Sequence, residues 1–475
     1  MTSNNVVTRF PPSPTGMMHI GNARTALFNW LYARHMDGKF LIRIEDTDRA
    51  RHTEEAVDVI KESLAWLSLN YDNEPESQYE NRQRHIDVAN EMVKNGQAYY
   101  CYCSPDELQE MRDKAKAEGR SASYDRRWRD RAPEDAPKDI KPVIRVKAPL
   151  EGQSVINDEV QGSVTVDNST LDDLIILRSD GTPTYMLAVV VDDHDMGVTH
   201  VIRGDDHLNN TFRQNVIYDV LGWAQPTYAH LPLIHGADGA KLSKRHGAVS
   251  VQEFEQLGYL PEAVLNYLLR LGWGHGDQEF FSAEEAVKLF DLKAVNKSAA
   301  KFDYTKLESI NAHYMKEADN TRLIELVAPF LQTEHDIEIS ETGLAHLTAG
   351  MDGLKDRSKT LVELASESVF YLIPADKITY NDKANKHLNT DAKSVLEGLV
   401  EVMQNTAPFT HDDIESACRD FANAHAGGKL GKVMMPLRAA LTGTDKSPSL
   451  FEVVEILGKD EVCARIQKAI EHISR

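Results

Sequence analysis

Residues 9–22, RFPPSPTGMMHIGN, leave the chain few choices of fold. Val6, Val7 and Phe10 make a short apolar strand, and Pro11, Pro12 and Pro14 forbid helix directly after it. Gly16 and Gly21 let backbone approach a bulky polyanion with no Cβ in the way. From Asn22 onward Ala23, Ala26, Leu27, Trp30, Leu31 and Ala33 recur at three- and four-residue steps, the period of an amphipathic helix. A strand thus feeds a proline- and glycine-bearing loop that opens a helix, the geometry that seats phosphates on a helix N-terminus. His19 falls at the helix mouth, within hydrogen-bonding reach of a phosphate. Strand-loop-helix units with glycines are also ordinary α/β architecture, so the reading depends on what else the chain carries.

The chain carries a cation cluster far downstream. Lys241-Leu242-Ser243-Lys244-Arg245 packs three positive charges into five residues, flanked by Gly236, Gly239 and Gly247. Alone it reads as a solvated basic turn. The formal net charge of −21 argues against non-specific polyanion binding, while leaving room for cations gathered locally. With 475 residues and 41% hydrophobic content, a length prior predicts about three domains. Four cysteines do not make a disulfide framework, no apolar run approaches ~18 residues, and MTSNNVV lacks the features of a secretory leader. A soluble cytoplasmic protein is expected.

Residues 39–49, KFLIRIEDTDR, give a second buried strand with Arg43, Glu45, Asp46, Asp48 and Arg49 crowded at its C-terminal end, where open α/β sheets place ligands. Residues 53–69 and 79–95 read as amphipathic helices, the second capped by Gly96. Cys101 and Cys103 are too few to hold a structural zinc. They read as small apolar residues with no zinc, completion by Tyr124 and another group being the alternative. Between residues 114 and 147 basic density climbs, with Arg120, Arg126, Arg127, Arg129, Arg131, Lys138, Lys141, Arg145 and Lys147 around Tyr124 and Trp128. A solvated basic face and an RNA contact both fit that run. Strands are predicted at 143–146, 162–166 and 174–177, with turns at Asp158-Glu159 and Asp180-Gly181. Residues 185–194 form an apolar run ending in Asp192, Asp193 and His194, and residues 201–208 repeat the pattern as a short strand, a glycine turn and polar groups at a helix start. Residues 251–269 are strongly helical, and beyond about residue 317 helical patterns recur at 323–331, 345–354, 362–371, 392–403, 412–424, 433–441 and 450–473.

Together, HIGN and KLSKR resemble the two signatures of class I aminoacyl-tRNA synthetases, and IRGDDHL with the C-terminal KLGK…PLR…LTG resembles the bacterial glutamyl branch. Asn22 and Phe212 depart from residues common in relatives. The resemblance implies an α/β fold in which a Rossmann-type parallel-sheet catalytic domain is split by an α/β insert and followed by an all-α C-terminal half. The implied divisions are 1–100 and 184–250 for the two catalytic halves, 101–183 for an acceptor-end-binding insert, 251–316 for stem contact and 317–475 for anticodon binding. ATP, with Mg²⁺, would activate L-glutamate to glutamyl-adenylate, and a terminal ribose hydroxyl of tRNA would take the glutamyl group. The resemblance assigns His19, Lys241 and Lys244 to catalysis, and Thr15, Gly16, His19, Gly21, Asn22, Asp206, His207, Leu208, Lys241, Ser243 and Lys244 to ATP. It assigns Arg9, Ser13, Glu45, Tyr185 and Arg203 to glutamate. No metal site in the chain and a monomer are expected, and Arg357 is a candidate for anticodon discrimination. Whether the glutamine tRNA is a second acceptor stays open. Arg203 carries its own chemical argument, since a planar, always-charged fork rewards a side-chain carboxylate and not an amide. The competing reading is a nucleotidylyltransferase that joins a small acid to a nucleotide without RNA, in whose chemistry the insert and the C-terminal half have no use.

Overall fold

The computed structural model describes residues 6–47, 53–119, 124–247 and 249–474. Asp48, Arg49 and Arg120 lie outside the described residues. The chain divides into two compact units, Met1–Phe254 with Val264–Asp303, and Glu255–Ala263 with Tyr304–Arg475.

The first unit begins with strand β1 (Val7–Phe10), helix α1 (Ile20–His35) and strand β2 (Lys39–Ile44), the unit read from the apolar spacing. β1 and β2 pair in parallel from Val7 opposite Lys39 to Phe10 opposite Ile42. Ala23, Ala26 and Ala33 are fully buried on α1, and their small side chains let the helix lie close to the strands. There follow α2 (Glu54–Trp66), β3 (Glu76–Ser77), α3 (Arg82–Lys94), β4 (Ala98–Cys101), α4 (Pro105–Ala117), β5 (Val143–Val146), β6 (Gln153–Asp158), β7 (Gly162–Asp167) and β8 (Ile175–Leu177). β6 escaped the periodicity analysis because its Gln-Ser-Val-Ile-Asn-Asp sequence is mostly polar; it pairs antiparallel with β7. The chain continues through α5 (Tyr185–Asp195), β9 (His200–Gly204), α6 (Leu208–Leu221), β10 (Thr227–Leu231) and β11 (Ile234–His235). The apolar run at 185–194 is helix, buried from Leu187 to Asp193 against α3 and α6.

β9, β10, β6 and β7 form one sheet, and β3, β2 and β1 another. The two meet at β1 and β9, where Val7 N donates to Thr199 Oγ1 at 2.8 Å and Thr199 N donates to Val7 O at 3.0 Å. β1 therefore has β2 on one side and β9 on the other, the place where a doubly wound sheet opens a crevice at its strand ends. β4, β5 and β8 make a separate antiparallel sheet. Beside it Cys101 Sγ donates to Tyr124 Oη at 3.3 Å, and Trp128 N donates to the same oxygen at 3.1 Å. Tyr99, Cys101, Tyr124 and Trp128 pack as a small buried cluster. The basic run is largely engaged within the fold: Arg126 and Arg129 bond the buried Asp173, Arg127 bonds Asp125 and Glu107, and Arg145 lies 3.9 Å from the Tyr124 ring centroid. Lys138 and Lys141 are exposed.

The chain passes between the units within α7 (Val251–Gln256) and α8 (Pro261–Arg270). The single helical stretch expected over 251–269 is broken here. Gly258 takes φ +75°, where an added Cβ would stand 2.7 Å from Val362 N, and Pro261 begins the next helix. The first unit closes with α9 (Ala283–Leu289) and β12 (Ala300–Lys301), the latter parallel to β11.

The second unit is helical: α10 (Tyr304–Glu317), α11 (Asn320–His335), α12 (Glu341–Lys355), α13 (Leu361–Leu372), α14 (Asp382–Asn385), α15 (Thr390–Asn405), α16 (His411–His425), α17 (Gly431–Thr442) and α18 (Leu450–Ile473). α18 kinks at Gly458. Near its C-terminal end the buried Arg465 donates to the carbonyls of Phe370, Leu441 and Ile373 at 2.6–2.8 Å, placing one cation against the closing turns of α13 and α17. Among the described residues no helix is long and apolar enough to cross a membrane.

The strands of the first unit are tied to α5 by charge. Arg9 on β1 and Arg43 on β2, at 1% and 0% exposure, both bond Asp193, 2% exposed, with Nε–Oδ1 3.1 Å and Nη1–Oδ1 2.5 Å. Burial raises the carboxyl's pKa, but the two guanidiniums outweigh it and hold the group below its ordinary 3.8. A depressed carboxyl contributes stability that is present above 3.8 and lost as pH falls through the folded value. Asp193→Asn, which leaves two buried cations short of charge, is expected to cost ~3–5 kcal/mol at pH 7. The gap from the parent protein should narrow below pH 3.8. Urea unfolding followed by tryptophan emission measures it, because all five tryptophans lie in the first unit.

Candidate active site

The crevice at the ends of β1, β2 and β9 is a cavity of about 440 Å³. Each strand delivers a charged group at its C-terminal end: Arg9 from β1, Glu45 just past β2, and Arg203 from β9. Arg9 spends Nε and Nη2 on Asp193, and its Nη1 is buried without an acceptor among the described residues. Arg203 gives Nη2 to Thr211 Oγ1 at 2.6 Å and Gln214 Oε1 at 2.9 Å, and its Nε to His230 at 3.2 Å. Burial lowers the Arg203 pKa, but a guanidinium stays charged. Glu45 accepts from Arg43 Nη2 at 3.2 Å, and burial pushes its carboxyl above the ordinary value against the pull of Arg43 and Arg9. Tyr185, at the start of α5, is pushed up to about 12 by burial first and the Glu45 charge second. Two cationic forks, one carboxylate and a phenol thus face a space suited to a molecule bearing two carboxylates and an ammonium.

The other end of the cavity is built from the α1 mouth. His19 is the N-cap residue, and its Nδ1 accepts from Gly21 N at 2.9 Å. A Cβ at Gly21 would stand 3.2 Å from that nitrogen, so glycine keeps the cap uncrowded. With Nδ1 accepting, the neutral ring carries its proton on Nε2. Burial lowers the His19 pKa, and the Leu242 backbone opposes the shift. The first-turn amides are already engaged: Ile20 N donates to Val249 O at 2.7 Å, and Asn22 N and Ala23 N donate to His19 O at 2.8 and 3.0 Å. The helix mouth therefore offers its dipole and side chains rather than free backbone donors.

The lysine loop reaches this mouth. Ile234 and His235 run out, and Lys241 and Leu242 run back, with Leu242 N donating to Ile234 O at 3.0 Å and Gly236 N to Ala240 O at 2.8 Å. Past the loop, Ser250 bridges His19 and Val251 N donates to Met18 O at 3.0 Å. Lys241 lines the cavity and places Nζ 3.3 Å from Asp206. Two signatures more than 200 residues apart in sequence therefore share one wall.

The cavity gathers Arg9, Ser13, Thr15, His19, Gly21, Asn22, Glu45, Tyr185, Arg203, Asp206, His207 and Lys241. Gly16, Leu208, Ser243 and Lys244 do not line it. Lys244 is exposed, and Ser243 Oγ pairs with His246 Nδ1 at 3.2 Å in the turn it begins. Sequence reasoning missed Arg24 and Thr25, which also line the cavity. Arg24 is 3% exposed, donates to Leu271 O at 2.8 Å and to Pro232 O, and is pushed down to about 10 by burial. A signal existed in their place near the start of the helix that follows the glycine-bearing loop. Asp193 was read as part of an acidic end, with nothing local to reveal its two arginine partners.

Residues 5–309 match the catalytic domain of class I tRNA synthetases (E and Q), and residues 322–470 match an anticodon-binding domain. The chain is 54% identical over 467 residues to glutamate–tRNA ligase 2 of Rhodospirillum rubrum, covering 98% of this chain and 99% of that one. It is 55% identical over 469 residues to glutamate–tRNA ligase 2 of Brucella ovis, with the same coverage. The crystal structure of a glutamate tRNA ligase from Elizabethkingia meningosepticum in complex with its amino acid superposes with a TM-score of 0.87 at 32% identity, covering 99% of this chain and all of that one. Fold, cavity and likeness over nearly the whole length agree, and the chain belongs to the glutamate–tRNA ligase family of class I tRNA synthetases.

Proposed function

We propose that this protein uses ATP to activate L-glutamate and transfers the glutamyl group to the 3′-terminal ribose of a glutamate tRNA. The observation that carries the reading is Arg9, which lines the cavity with Arg203 and whose buried Nη1 has no acceptor among the described residues. A buried guanidinium nitrogen left unpaired is costly, and a substrate carboxylate supplies the missing acceptor. Arg9 and Ser13 hold the amino acid's backbone end, Glu45 its ammonium, and Arg203 with Tyr185 its side-chain carboxylate. Asp206, His207 and Leu208 border the ribose and adenine. The match to an anticodon-binding domain disfavours a nucleotidylyltransferase that works without RNA.

In activation, a glutamate α-carboxylate oxygen attacks the α-phosphorus and the bond to pyrophosphate breaks. Negative charge grows on both fragments, so fixed donors and cations lower the barrier. His19, its ring proton now directed at the Leu242 backbone, stands beside Thr15, Gly16, Gly21 and Asn22 to turn that proton to the phosphates, and Lys241 meets the leaving pyrophosphate. Lys244, exposed next to Ser243, contributes when the loop closes over that group. Among the described residues no cluster of three or more His, Cys, Asp or Glu gathers to hold a metal. Mg²⁺ would screen the charge of the phosphates. The adenylate carbonyl is then attacked by the tRNA hydroxyl, and AMP leaves.

We read residues 101–183 as the part that holds the acceptor end, 251–316 as the stem contact and 317–475 as the anticodon reader, with Arg357 a discriminating candidate. No structural zinc, a monomeric state and a cytoplasmic location complete the proposal, and the glutamine tRNA is left open as a second acceptor. The free state of all four cysteines accords with a reducing compartment.

Lys244→Ala should slow pyrophosphate exchange by about 10²–10³-fold, the cost of one preorganised charge contact, with glutamate affinity unchanged. Wild-type exchange by that variant would remove Lys244 from the mechanism. Aminoacylation with radiolabelled glutamate and purified glutamate and glutamine tRNAs, with and without ATP, tests the whole reading. ATP-dependent charging of the glutamate tRNA is the expected result, and no charging of either RNA would overturn it.

A further inference from the structure

Behind Arg203 lies a row of buried polar groups, Asp158 and His230, that do not line the cavity. Asp158 ends β6, His230 lies in β10 and Arg203 in β9, three neighbouring strands of one sheet. Their exposures are 5%, 0% and 6%, so each polar atom must be satisfied inside the protein.

The pairing is ordered. Asp158 Oδ1 accepts the backbone N–H groups of Val160, Gln161 and His230 at 2.9, 2.7 and 3.1 Å. Its Oδ2 is left for the imidazole and stands 2.6 Å from His230 Nδ1. The carboxyl is held below its ordinary value despite burial, by the hydrogen bonds from His230 and the backbone. Burial lowers the His230 pKa, so the ring is neutral with one proton. A carboxylate only accepts, so that proton is on Nδ1 and the Nε2 lone pair is an acceptor. Nε2 faces Arg203 Nε at 3.2 Å and Thr211 Oγ1 at 3.0 Å. With Nη2 held by Thr211 and Gln214, two of the three guanidinium nitrogens are fixed, and Nη1 has no acceptor among the described residues.

We propose that Asp158 and His230 are positioning residues for amino-acid recognition: the Asp158 carboxylate fixes the His230 tautomer, and His230 Nε2 holds Arg203 Nε so that Nη1 is presented to the substrate's side-chain carboxylate. The inference rests on the assignment of Arg203 to that carboxylate. It makes the hairpin of β6 and β7 part of the specificity apparatus, although neither strand supplies a residue that lines the cavity.

Asp158→Asn is the test, because the fold dictates how the amide must sit. Three backbone N–H groups claim its oxygen, so its NH₂ faces His230 Nδ1. The ring proton then moves to Nε2, where it opposes the Arg203 N–H. In pyrophosphate exchange with tRNA present, KM for glutamate should rise about tenfold or more, since a charge-assisted hydrogen bond has become a donor–donor contact. KM for ATP should stay unchanged, and ¹⁵N NMR of His230 should show the proton moved from Nδ1 to Nε2. His230→Gln, which keeps an acceptor near Nε2, should retain more glutamate affinity than His230→Leu. Arg203→Ala should itself raise KM for glutamate, and adding Asp158→Asn to it should change nothing further. If Arg203→Ala leaves KM for glutamate unaltered, the assignment of Arg203 falls. If it raises KM while Asp158→Asn and His230→Leu do not, the positioning inference alone is overturned. A rise in both KM values together with a lower unfolding temperature for Asp158→Asn assigns the pair a structural role and overturns it equally.

Discussion

The cluster of Arg9, Arg43, Asp193 and Glu45 is the interaction on which the catalytic unit depends. Burying four charges is expensive, and the arrangement is tolerable because each is paired: Asp193 takes both arginines, and Arg43 also reaches Glu45. The same pairing joins the two central strands to α5. It also marks the crevice, because Arg9 retains one buried nitrogen with no acceptor among the described residues. The pairing of the strands and the lining of the crevice draw on one set of charges, and the orphaned donor is what a compact, fully satisfied core would not have kept.

The lysine loop follows an opposite logic. The Lys241–Asp206 pair is 64% and 43% exposed, so water screens it and its worth is about 0–1 kcal/mol. Such a partner is readily exchanged for a phosphate. The arginine end of the cavity is therefore prepaired, while the lysine end is held by contacts weak enough to be rearranged.

Much of this was legible in the residue pattern. Three-and-four spacing placed α1 and most of the C-terminal helices within a few residues, since one buried face decides each of them. The strand ends stood out because charge follows an apolar run at Ile44 and Ile202. What stayed hidden depends on distant partners. Residues 185–191 carry a run of valines that favours strand locally, yet burial against α3 and α6 makes them helix. β6 hides behind polar residues, and its Asp158 gains meaning beside His230, 72 residues on. Backbone pairing at the α1 mouth was likewise invisible, because Val249 is not a local neighbour of Ile20.

Arg9 and Asp193 are separated by 184 positions along the chain. At ribosomal speeds of roughly 5–20 residues per second, about ten to forty seconds pass between synthesis of the first and of the second. Throughout that interval β1 has been made but its neighbour β9 and its counter-ion have not. Until then Asp193 cannot neutralise Arg9, and burying that guanidinium without its carboxylate would be costly. Splitting the sheet across so much sequence thus makes the order of translation a participant in assembling the crevice.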